Sequence, residues 1–416
     1  MTGPDATTPG RGRPDAEGAG AVAPRRETPG RGRPDAEGDG AVTPRRGTPG
    51  RGGRDVEGPG AATARRGALS PGGEAAALTA HVVVRRRDFA VDLSLDVTPG
   101  ETVAVMGRSG AGKSTLLTAL AGLTPLDGGE ITLDGRVLDR APRVRTAPMQ
   151  RGIVLLGQDA RLFPHLTARE NVAFGPRAAG VPASLARSSA DEWLARVGLP
   201  GAGDRRPAQL SGGEQQRVAV ARALAAEPRV VLLDEPLVAL DAVTASEIRA
   251  MLRERLTGVT TIAVTHDAVD AAALADRLLI VERGRVTQEG PVREVLAAPA
   301  TAVAAAIAGL ERVVGVARRG GWEGAGMRLE STEADSLALA ATDGVPLAAV
   351  FRASDMRIGE GCPATVVRLE PTPTGVRIVT DRGAAEVSPA EATEIDPGDV
   401  ILVSVAPERV RFVPAS

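Results

Sequence analysis

Apolar and polar residues along this chain follow a pattern that changes twice. From residue 78 onward, short apolar runs alternate with longer segments of helical periodicity. Residues 102–106, 229–233 and 260–265 are almost wholly apolar or β-branched, which is typical of parallel strands buried on both faces. Residues 114–121, after the first of these runs, are predicted to form a helix. Strands that alternate with helices predict an α/β fold, with a mixed, mostly parallel sheet covered by helices on both faces.

The pattern after residue 310 differs from the pattern before it. Short β-rich runs are separated there by Gly, Pro and Asp, at residues 347–352, 364–369, 376–380, 399–405 and 409–413. This spacing predicts a small, barrel-like β domain at residues 311–416, separate from the α/β domain at 78–310.

Residues 1–77 form a third region. Three 20-residue units each open with Thr-Pro-Gly, at Thr8, Thr28 and Thr48, and close with a pair of arginines. A repeat of this length is compatible with a solenoid. Large apolar residues are nearly missing from it, however, and Pro and Gly dominate, so there is little to bury. We therefore predict a disordered tail.

Composition narrows the functional class. A chain of 416 residues has room for two or three domains. Its net charge of −2 and pI of about 6.1 argue against nucleic-acid binding through bulk positive charge. Cys362 is the single cysteine, which excludes an intramolecular disulfide and is typical of a reducing compartment. We find neither a signal-peptide pattern nor an apolar run near the roughly 18 residues of a membrane span. We therefore expect a cytoplasmic protein that reaches a membrane through a partner.

The strongest motif lies directly after the predicted strand at 102–106. It fits the pattern G-x-x-x-x-G-K-[ST] and consists of Gly107, Arg108, Ser109, Gly110, Ala111, Gly112, Lys113, Ser114 and Thr115. Between a strand and a helix, such a loop directs backbone N–H groups and the helix N-terminus at phosphate oxygens. Lys113 is predicted to reach the β- and γ-phosphates, and the Ser114 hydroxyl to hold Mg²⁺. Lys113 is also the only lysine in the chain. A planar guanidinium does not replace its compact ammonium in such a loop.

Two carboxylates follow the buried strand at 229–233. Asp234, at the carboxyl end of the strand, is placed to hold Mg²⁺, usually through water. Glu235 is placed to polarise an attacking water as a general base. Together with the phosphate loop, this pair indicates a nucleoside triphosphatase.

A third motif opens the helix predicted after residue 210. Ser211 and Glu214 have the spacing of a helix capping box. The same pattern occurs at Ser388 and Glu391, where we expect only a cap. Capping does not account for Gly212 and Gly213, because glycine costs helix stability. We interpret Ser211, Gly212 and Gly213 as an open helix N-terminus that receives an anion from outside the chain.

These motifs together resemble those of the ATP-binding-cassette ATPases. Residues 210–217 resemble the signature of that family, Gln158 its glutamine loop, residues 238–241 its D-loop and His266 its switch histidine. The motifs stand in the family's order, and the resemblance covers residues 78–310.

The resemblance implies a P-loop cassette that binds ATP and Mg²⁺ in a head-to-tail homodimer. Each site would pair the phosphate loop of one chain with Ser211, Gly212 and Gly213 of the other. Glu235 would be the base, and His266 would contact the γ-phosphate. Gln158 would sense Mg²⁺, beside Ser114 and Asp234 as metal ligands, and would couple the site to a membrane partner.

The adenine contact is left open by the sequence. The family usually stacks adenine on an aromatic residue before the first long strand, and this chain has no tyrosine. The candidates are Phe89, the nearest aromatic residue, and the arginines Arg85, Arg86 and Arg87.

Two further stretches concern the cargo. Residues 159–165 resemble the molybdate branch of importer ATPases, and residues 351–369 resemble the small oxyanion-binding β domain of molybdate and sulfate importer ATPases. The resemblance implies an importer ATPase on the cytoplasmic face of the cell membrane. Its partners would be integral permease subunits and, indirectly, an extracytoplasmic substrate-binding protein. Molybdate is the first expectation, followed by sulfate, then iron(III) or polyamine; an oxyanion at the C-terminal domain would act as a regulator.

Two alternatives belong to other functional classes. A soluble cassette protein that acts on nucleic acid or ribosomes usually has two fused cassettes or a long coiled-coil insertion, and this chain has one cassette. An exporter ATPase commonly lacks a C-terminal β domain. We therefore expect no nucleic-acid partner.

Overall fold

The computed structural model describes residues 76–86, 89–238 and 240–415. Apart from Ala76 and Ala77, the predicted tail at 1–77 lies outside the described residues. Both alanines are already tied to the α/β domain. The Ala76 carbonyl accepts a hydrogen bond from Thr260 Oγ1 at 2.7 Å, and the Ala77 N–H donates to Asp134 Oδ1 at 2.7 Å.

The α/β domain contains the elements that position the candidate site. Its strands are β1 (Leu78–Arg85), β2 (Ala90–Val97), β3 (Thr102–Met106), β4 (Gly128–Leu133), β5 (Arg136–Arg140), β6 (Val144–Arg145), β7 (Ile153–Leu156), β8 (Val230–Asp234), β9 (Thr260–Val264), β10 (Arg277–Glu282) and β11 (Arg285–Pro291). Its helices are α1 (Lys113–Leu120), α2 (Ala168–Ala178), α3 (Ala183–Arg196), α4 (Gly212–Ala225), α5 (Ala242–Leu256), α6 (Ala268–Leu274), α7 (Val292–Ala297) and α8 (Ala302–Ile307).

The central sheet explains why distant motifs meet. Among the described residues it has six strands in the order β11-β10-β3-β9-β8-β7, and all pairings are parallel except that of β10 with β11. Parallel strands end at one edge of the sheet, so the loops that follow β3, β7, β8 and β9 converge there. These loops carry the phosphate loop, Gln158, the Asp234–Glu235 pair and His266. The predicted α/β fold with a mixed, mostly parallel sheet is confirmed for the described residues.

A second, antiparallel sheet packs on α1. Its strand order is β2-β1-β4-β5-β6. Leu116, Leu117 and Leu120 of α1 are at most 1% exposed and share one apolar cluster with Leu78 and Val82 of β1. Helix α1 is therefore held between two sheets, which fixes the loop at its N-terminus.

The C-terminal end of α1 is closed by a buried ion pair. Arg151 Nη2 donates to Asp139 Oδ2 at 2.6 Å, and both side chains are at most 4% exposed. Arg151 Nη1 donates to the carbonyls of Ala119 and Leu120 at 3.2 Å. These are two of the carbonyls that a helix end leaves without an internal partner.

Helix α2 continues through Gly175 and Pro176 to Ala178, and a break at residues 179–182 separates it from α3. Proline loses only its own N–H bond, and the next turn is retained because the Ala179 N–H donates to the Gly175 carbonyl at 3.0 Å. Gly175 is a packing residue, since an added Cβ would lie 2.9 Å from the Cβ of Ala226.

The C-terminal region is built from two small antiparallel sheets and two short helices. Its strands are β12 (Glu311–Arg318), β13 (Gly321–Gly324), β14 (Met327–Leu329), β15 (Pro346–Phe351), β16 (Met356–Pro371), β17 (Val376–Thr380), β18 (Gly383–Val387), β19 (Val400–Val405) and β20 (Arg411–Pro414); its helices are α9 (Ala334–Leu339) and α10 (Pro389–Ala392). The sheets have the orders β14-β13-β12-β15-β20 and β18-β17-β16-β19. Trp322, Phe351 and Phe412, each at most 2% exposed, lie in the apolar cluster that both sheets share.

Four of these strands, β12, β13, β14 and β18, were not predicted. They are short or rich in Gly and Arg, so they lack a clear apolar alternation. Within the residues that the structure describes, no helix is long and apolar enough to cross a membrane.

Candidate active site

The phosphate loop lies between the end of β3 and the start of α1. Gly112 occupies the N-cap of α1 with a φ of 108°, and no described side chain caps the helix. Lys113 is only 8% exposed, and its ammonium donates to the carbonyls of Gly107 at 2.8 Å and Arg108 at 3.2 Å. Burial lowers the pKa of Lys113, and the nearby carboxylates of Glu235 and Asp234 oppose that shift. The only lysine of the chain is therefore folded over the loop, beside an uncapped helix N-terminus.

The loop is supported from behind by the end of β10 and by the turn that joins β10 to β11. An added Cβ at Gly107 would lie 2.1 Å from the carbonyl oxygen of Val281, so only glycine fits there. In the turn after β10, the Gly284 N–H donates to the Ala111 carbonyl at 3.0 Å, and the Gly284 carbonyl accepts from the Asp92 N–H at 2.7 Å. The support therefore comes from residues about 170 positions later in the chain.

A cleft of about 500 Å³ opens in front of the loop. The described residues that line it are Phe89, Gly107, Ser109, Gly110, Gly112, Lys113, Ser114, Thr115, Gln158, Glu235 and His266. The predicted residues from four separate loops are thus brought together. Six further predicted residues are not among the described lining residues: Arg108, Ala111, Asp234, Ser211, Gly212 and Gly213.

Asp234 carries a carboxylate oxygen that the described residues leave unsatisfied. Its Oδ1 is buried without a hydrogen-bond partner. Burial and the neighbouring Glu235 raise the pKa of Asp234, against the opposing effects of a hydrogen bond from Ser114 and of the Lys113 charge. A buried, unpartnered carboxylate oxygen next to a serine hydroxyl fits a hard cation.

No larger set of metal ligands is found near this pair. In the described part of the chain, no three His, Cys, Asp or Glu side chains are grouped as a metal site. Mg²⁺ is commonly held by one or two protein oxygens together with substrate phosphates and water. The donors present, Asp234 and Ser114, fit that arrangement.

Glu235 has an unusual backbone conformation at the centre of the cleft. Its φ of 49° lies in the left-handed region, which is costly for a residue with a side chain. Its N–H donates to the Val264 carbonyl at 3.0 Å, which holds the turn against β9. Glu235 Oε2 accepts from Gln158 Nε2 at 3.0 Å and lies 3.5 Å from His266 Nδ1. Gln158 and His266, the two side chains predicted to act with Glu235, therefore lie at the same oxygen of its carboxylate.

The signature segment opens α4 as a capped helix. Ser211 accepts a hydrogen bond from the Glu214 N–H at 3.2 Å, and the Glu214 carboxylate accepts from the Ser211 N–H at 2.8 Å. An added Cβ on Gly212 would meet no described atom within 4 Å, whereas one on Gly213 would lie 3.0 Å from Thr244 Cγ2. The two glycines therefore differ: Gly212 faces open space, and Gly213 packs inside its own chain.

Two smaller sequence predictions concern positions outside the loop. Ser388 forms a capping box with Glu391 at the start of α10. Phe89 lines the cleft, whereas Arg85 and Arg86 are not among the described lining residues and Arg87 lies outside the described residues. Among the described adenine candidates, Phe89 is therefore the one at the site.

Comparisons with known proteins find a family model and relatives whose names refer to transport and ATP binding. Residues 90–238 match the family described as ABC transporter. An Fe(3+) ions import ATP-binding protein of Streptomyces avermitilis is 50% identical over 228 residues, covering 54% of this chain and 64% of that protein. A molybdenum import ATP-binding protein of Mycobacterium tuberculosis is 46% identical over 241 residues, covering 56% of this chain and 64% of that protein. The chain thus spans less than two thirds of the length of these relatives. A solved ATP-binding cassette, a dimer with ADP and phosphate, is 31% identical and covers 52% of this chain and 99% of its own, with a TM-score of 0.45.

Proposed function

We propose that this protein, which belongs to the ABC transporter family through its ATP-binding cassette, is the ATP-hydrolysing subunit of an importer. The observation that carries the proposal is the convergence of Lys113, Ser114, Gln158, Glu235 and His266 on one cleft. Each of these residue types has a distinct task in phosphoryl transfer, and a phosphate loop without hydrolysis would need only the first two.

ATP binds with its phosphates against the loop. The uncapped N-terminus of α1 offers backbone N–H groups and the positive end of a helix dipole. The Lys113 ammonium exchanges its bonds to the Gly107 and Arg108 carbonyls for phosphate oxygens, which are stronger acceptors because they are charged. Adenine lies towards Phe89, whose ring provides a stacking face.

Mg²⁺ fits the same cleft through the oxygens of Asp234 and Ser114, with Gln158 as a further candidate ligand at its edge. When bound, it neutralises negative charge on the phosphate oxygens.

Hydrolysis depends on the groups around Glu235. Its carboxylate takes a proton from the attacking water as a general base. Gln158 holds the Glu235 Oε2 atom by its hydrogen bond of 3.0 Å, which leaves Oε1 free to face that water. His266, more than half exposed and 3.5 Å from Glu235, is placed to contact the γ-phosphate. The left-handed backbone at Glu235 turns its side chain into the cleft.

Two copies of the chain complete each site. Ser211, Gly212 and Gly213 form a helix N-terminus whose first residue faces open space, outside the cleft of their own chain. A head-to-tail homodimer would bring this N-terminus onto the nucleotide of the partner copy, where its dipole stabilises the γ-phosphate.

The other partners are integral permease subunits and, through them, an extracytoplasmic substrate-binding protein. The relatives named above are import ATP-binding proteins, and this supports a peripheral position on the cytoplasmic face of the membrane. In this arrangement residues 78–310 form the nucleotide-binding domain, and residues 311–416 a regulatory domain at which an oxyanion binds.

For the cargo we propose an oxyanion, with molybdate first. The stretch 159–165 and the β-rich C-terminal region support it, as does the name of the mycobacterial relative. Iron(III) is the second candidate, because the streptomycete relative carries that name at 50% identity. Sulfate and polyamine rank below both.

The hydrolytic role is tested with Glu235→Gln. This variant should retain MgATP binding and lose hydrolysis by about 10²- to 10⁴-fold, the contribution of a general base. Glu192→Gln, at an exposed position on α3, is the control and should behave as the unchanged protein. Full turnover by Glu235→Gln would contradict the assignment of the base.

The cargo is tested in liposomes that contain the complete transporter. Binding protein loaded with molybdate, sulfate or ferric iron is added outside, and ATP hydrolysis is measured. Stimulation by the molybdate-loaded form supports the proposal. Stimulation by the ferric form alone would replace molybdate with iron and leave the ATPase assignment intact.

A further inference from the structure

The side chain of His266 has little support of its own. It is 58% exposed, and its contact among the described side chains is with Glu235, at 3.5 Å. It lies in the short link between β9 and α6, two elements that are fixed by burial and capping. The direction of its ring is therefore set by the backbone of the link, so whatever shapes that link sets the position of His266.

One buried hydroxyl closes the link around His266. Thr265, which is 6% exposed, accepts a hydrogen bond at Oγ1 from the Asp267 N–H at 3.1 Å. The same hydroxyl donates to Asp270 Oδ2 at 3.3 Å. The first bond spans His266 from one side to the other, and the second ties the turn to the first turn of α6.

The carboxylate that receives this hydroxyl is itself held by a second helix. Asp270 is 8% exposed, and its Oδ1 accepts a hydrogen bond from Arg249 Nε at 2.8 Å. The Nη2 atom of Arg249 lies 2.6 Å from the same oxygen. Arg249 lies on α5, about two turns after the N-cap residue Asp241. The fork of Arg249 leaves Asp270 Oδ2 for the threonine hydroxyl, so the carboxylate joins α5 to the turn that carries His266.

From this chain of contacts we infer that Thr265, Asp270 and Arg249 are positioning residues for His266. They hold its ring at the edge of the cleft without touching the nucleotide. The inference rests on the proposed ATPase function for its kinetic test, but the placement of His266 is measurable without hydrolysis.

The test uses a matched pair of substitutions. Thr265→Val keeps the shape of the buried side chain and removes both hydrogen bonds, whereas Thr265→Ser keeps the hydroxyl. Thr261→Val is the control, because Thr261 is a buried threonine on β9, the strand that leads into the link, and its hydroxyl donates to the Val259 carbonyl and not to α6. Should Thr265→Val fail to fold, Asp270→Asn removes the charge that binds Arg249 and tests the same link.

The kinetic result is read in two backgrounds. Thr265→Val should lower kcat about 10- to 100-fold, the cost of misplacing a group at the reaction centre, with little change in the Kd for MgATP. Thr265→Ser should recover most of the rate. In a His266→Ala background, Thr265→Val should change kcat less than about twofold, because the group that it positions is gone. An equal loss in both backgrounds would overturn the inference.

Nuclear magnetic resonance of the imidazole rings gives a readout that does not need turnover. The chain has three histidines, so the signal of His266 is assigned by its loss in His266→Ala. Thr265→Val should shift that signal and leave those of His81 and His165 in place. An unmoved His266 signal would overturn the positioning role. If Thr265→Val moves the His266 signal but the unchanged protein does not hydrolyse ATP, the proposed function is refuted and the positioning role of Thr265 is retained.

Discussion

Gly212 and Gly213 are neighbours in the chain, but an added methyl group should affect them in opposite ways. Gly212 is the first residue of α4, its φ is not left-handed, and an added Cβ meets no described atom within 4 Å. Gly212→Ala should therefore stabilise the isolated protein, by about 0.4–1 kcal/mol, through a less flexible unfolded chain. The corresponding rise in Tm is about 1–4 °C.

Gly213→Ala should behave differently. Its Cβ would lie 3.0 Å from Thr244 Cγ2, which is tighter than a normal contact, and 3.9 Å from Leu240 Cδ2, which is an ordinary contact. The gain in helix propensity of about 1 kcal/mol is then offset by an overpacking cost of about 1–3 kcal/mol. We expect Gly213→Ala to be neutral or less stable than the unchanged protein, and Thr244→Ser, which removes the opposing methyl group, to restore the loss.

The assay separates stability from function. Thermal unfolding without nucleotide gives the first, and light scattering of the ATP-dependent dimer in a Glu235→Gln background gives the second. Gly212→Ala should unfold at a higher temperature and yet dimerise at least about tenfold more weakly, because its methyl group would lie between the helix N-terminus and the phosphate of the partner copy. Normal dimerisation and turnover in Gly212→Ala would refute the idea that this open position receives a nucleotide. A lower Tm for Gly212→Ala would refute the claim that the space around Gly212 can take an added methyl group.

Three further predictions concern the cleft and its support. MgATP should protect Lys113 from amine acylation. Because Lys113 is the only lysine, mass spectrometry reports one internal site. Labelling that MgATP leaves unchanged would contradict the placement of Lys113 at the phosphates. Since burial and a neighbouring carboxylate raise the pKa of Asp234, protons should compete with Mg²⁺ at a higher pH than for an exposed aspartate. Calorimetric Mg²⁺ affinity in the presence of nucleotide should therefore weaken as pH falls, and Asp234→Asn should abolish that dependence. Arg151→Met should lower the free energy of unfolding by about 3–5 kcal/mol, because it leaves Asp139 buried and unpaired; Arg151→Met with Asp139→Leu should recover much of that loss in denaturant titrations.

Much of the fold and the site was predictable from local sequence. Strand β3 occupies the predicted residues 102–106, because a strand buried on both faces has to be apolar throughout. The phosphate loop and the Asp234–Glu235 pair were found because each depends on residues that are adjacent in the chain. Parallel strands then bring these local motifs to one edge of the sheet, which the alternation of strands and helices already indicated.

The features that the sequence did not reveal depend on contacts between distant segments. The link from Arg249 through Asp270 to Thr265 requires α5 to pack beside α6, and no local pattern distinguishes Arg249 from the other arginines of α5. Gly213 was interpreted together with Gly212, since nothing in the sequence places Thr244 against one and not the other. The dimer contact, the cargo and the division at residue 310 remain predictions.

The end of β10 and the turn that follows it have a consequence for the proposed binding of nucleotide. Because Val281 lies close against Gly107 and the Gly284 N–H donates to the Ala111 carbonyl, the proposed nucleotide would bind a loop that other segments already support. Preorganisation of this kind lowers the entropy lost on association, so affinity is achieved without first ordering a loop. The family match ends at residue 238, well before that turn. A shortened protein cut to the matched residues would therefore retain every recognisable motif up to Glu235 and lose the segment that supports the phosphate loop.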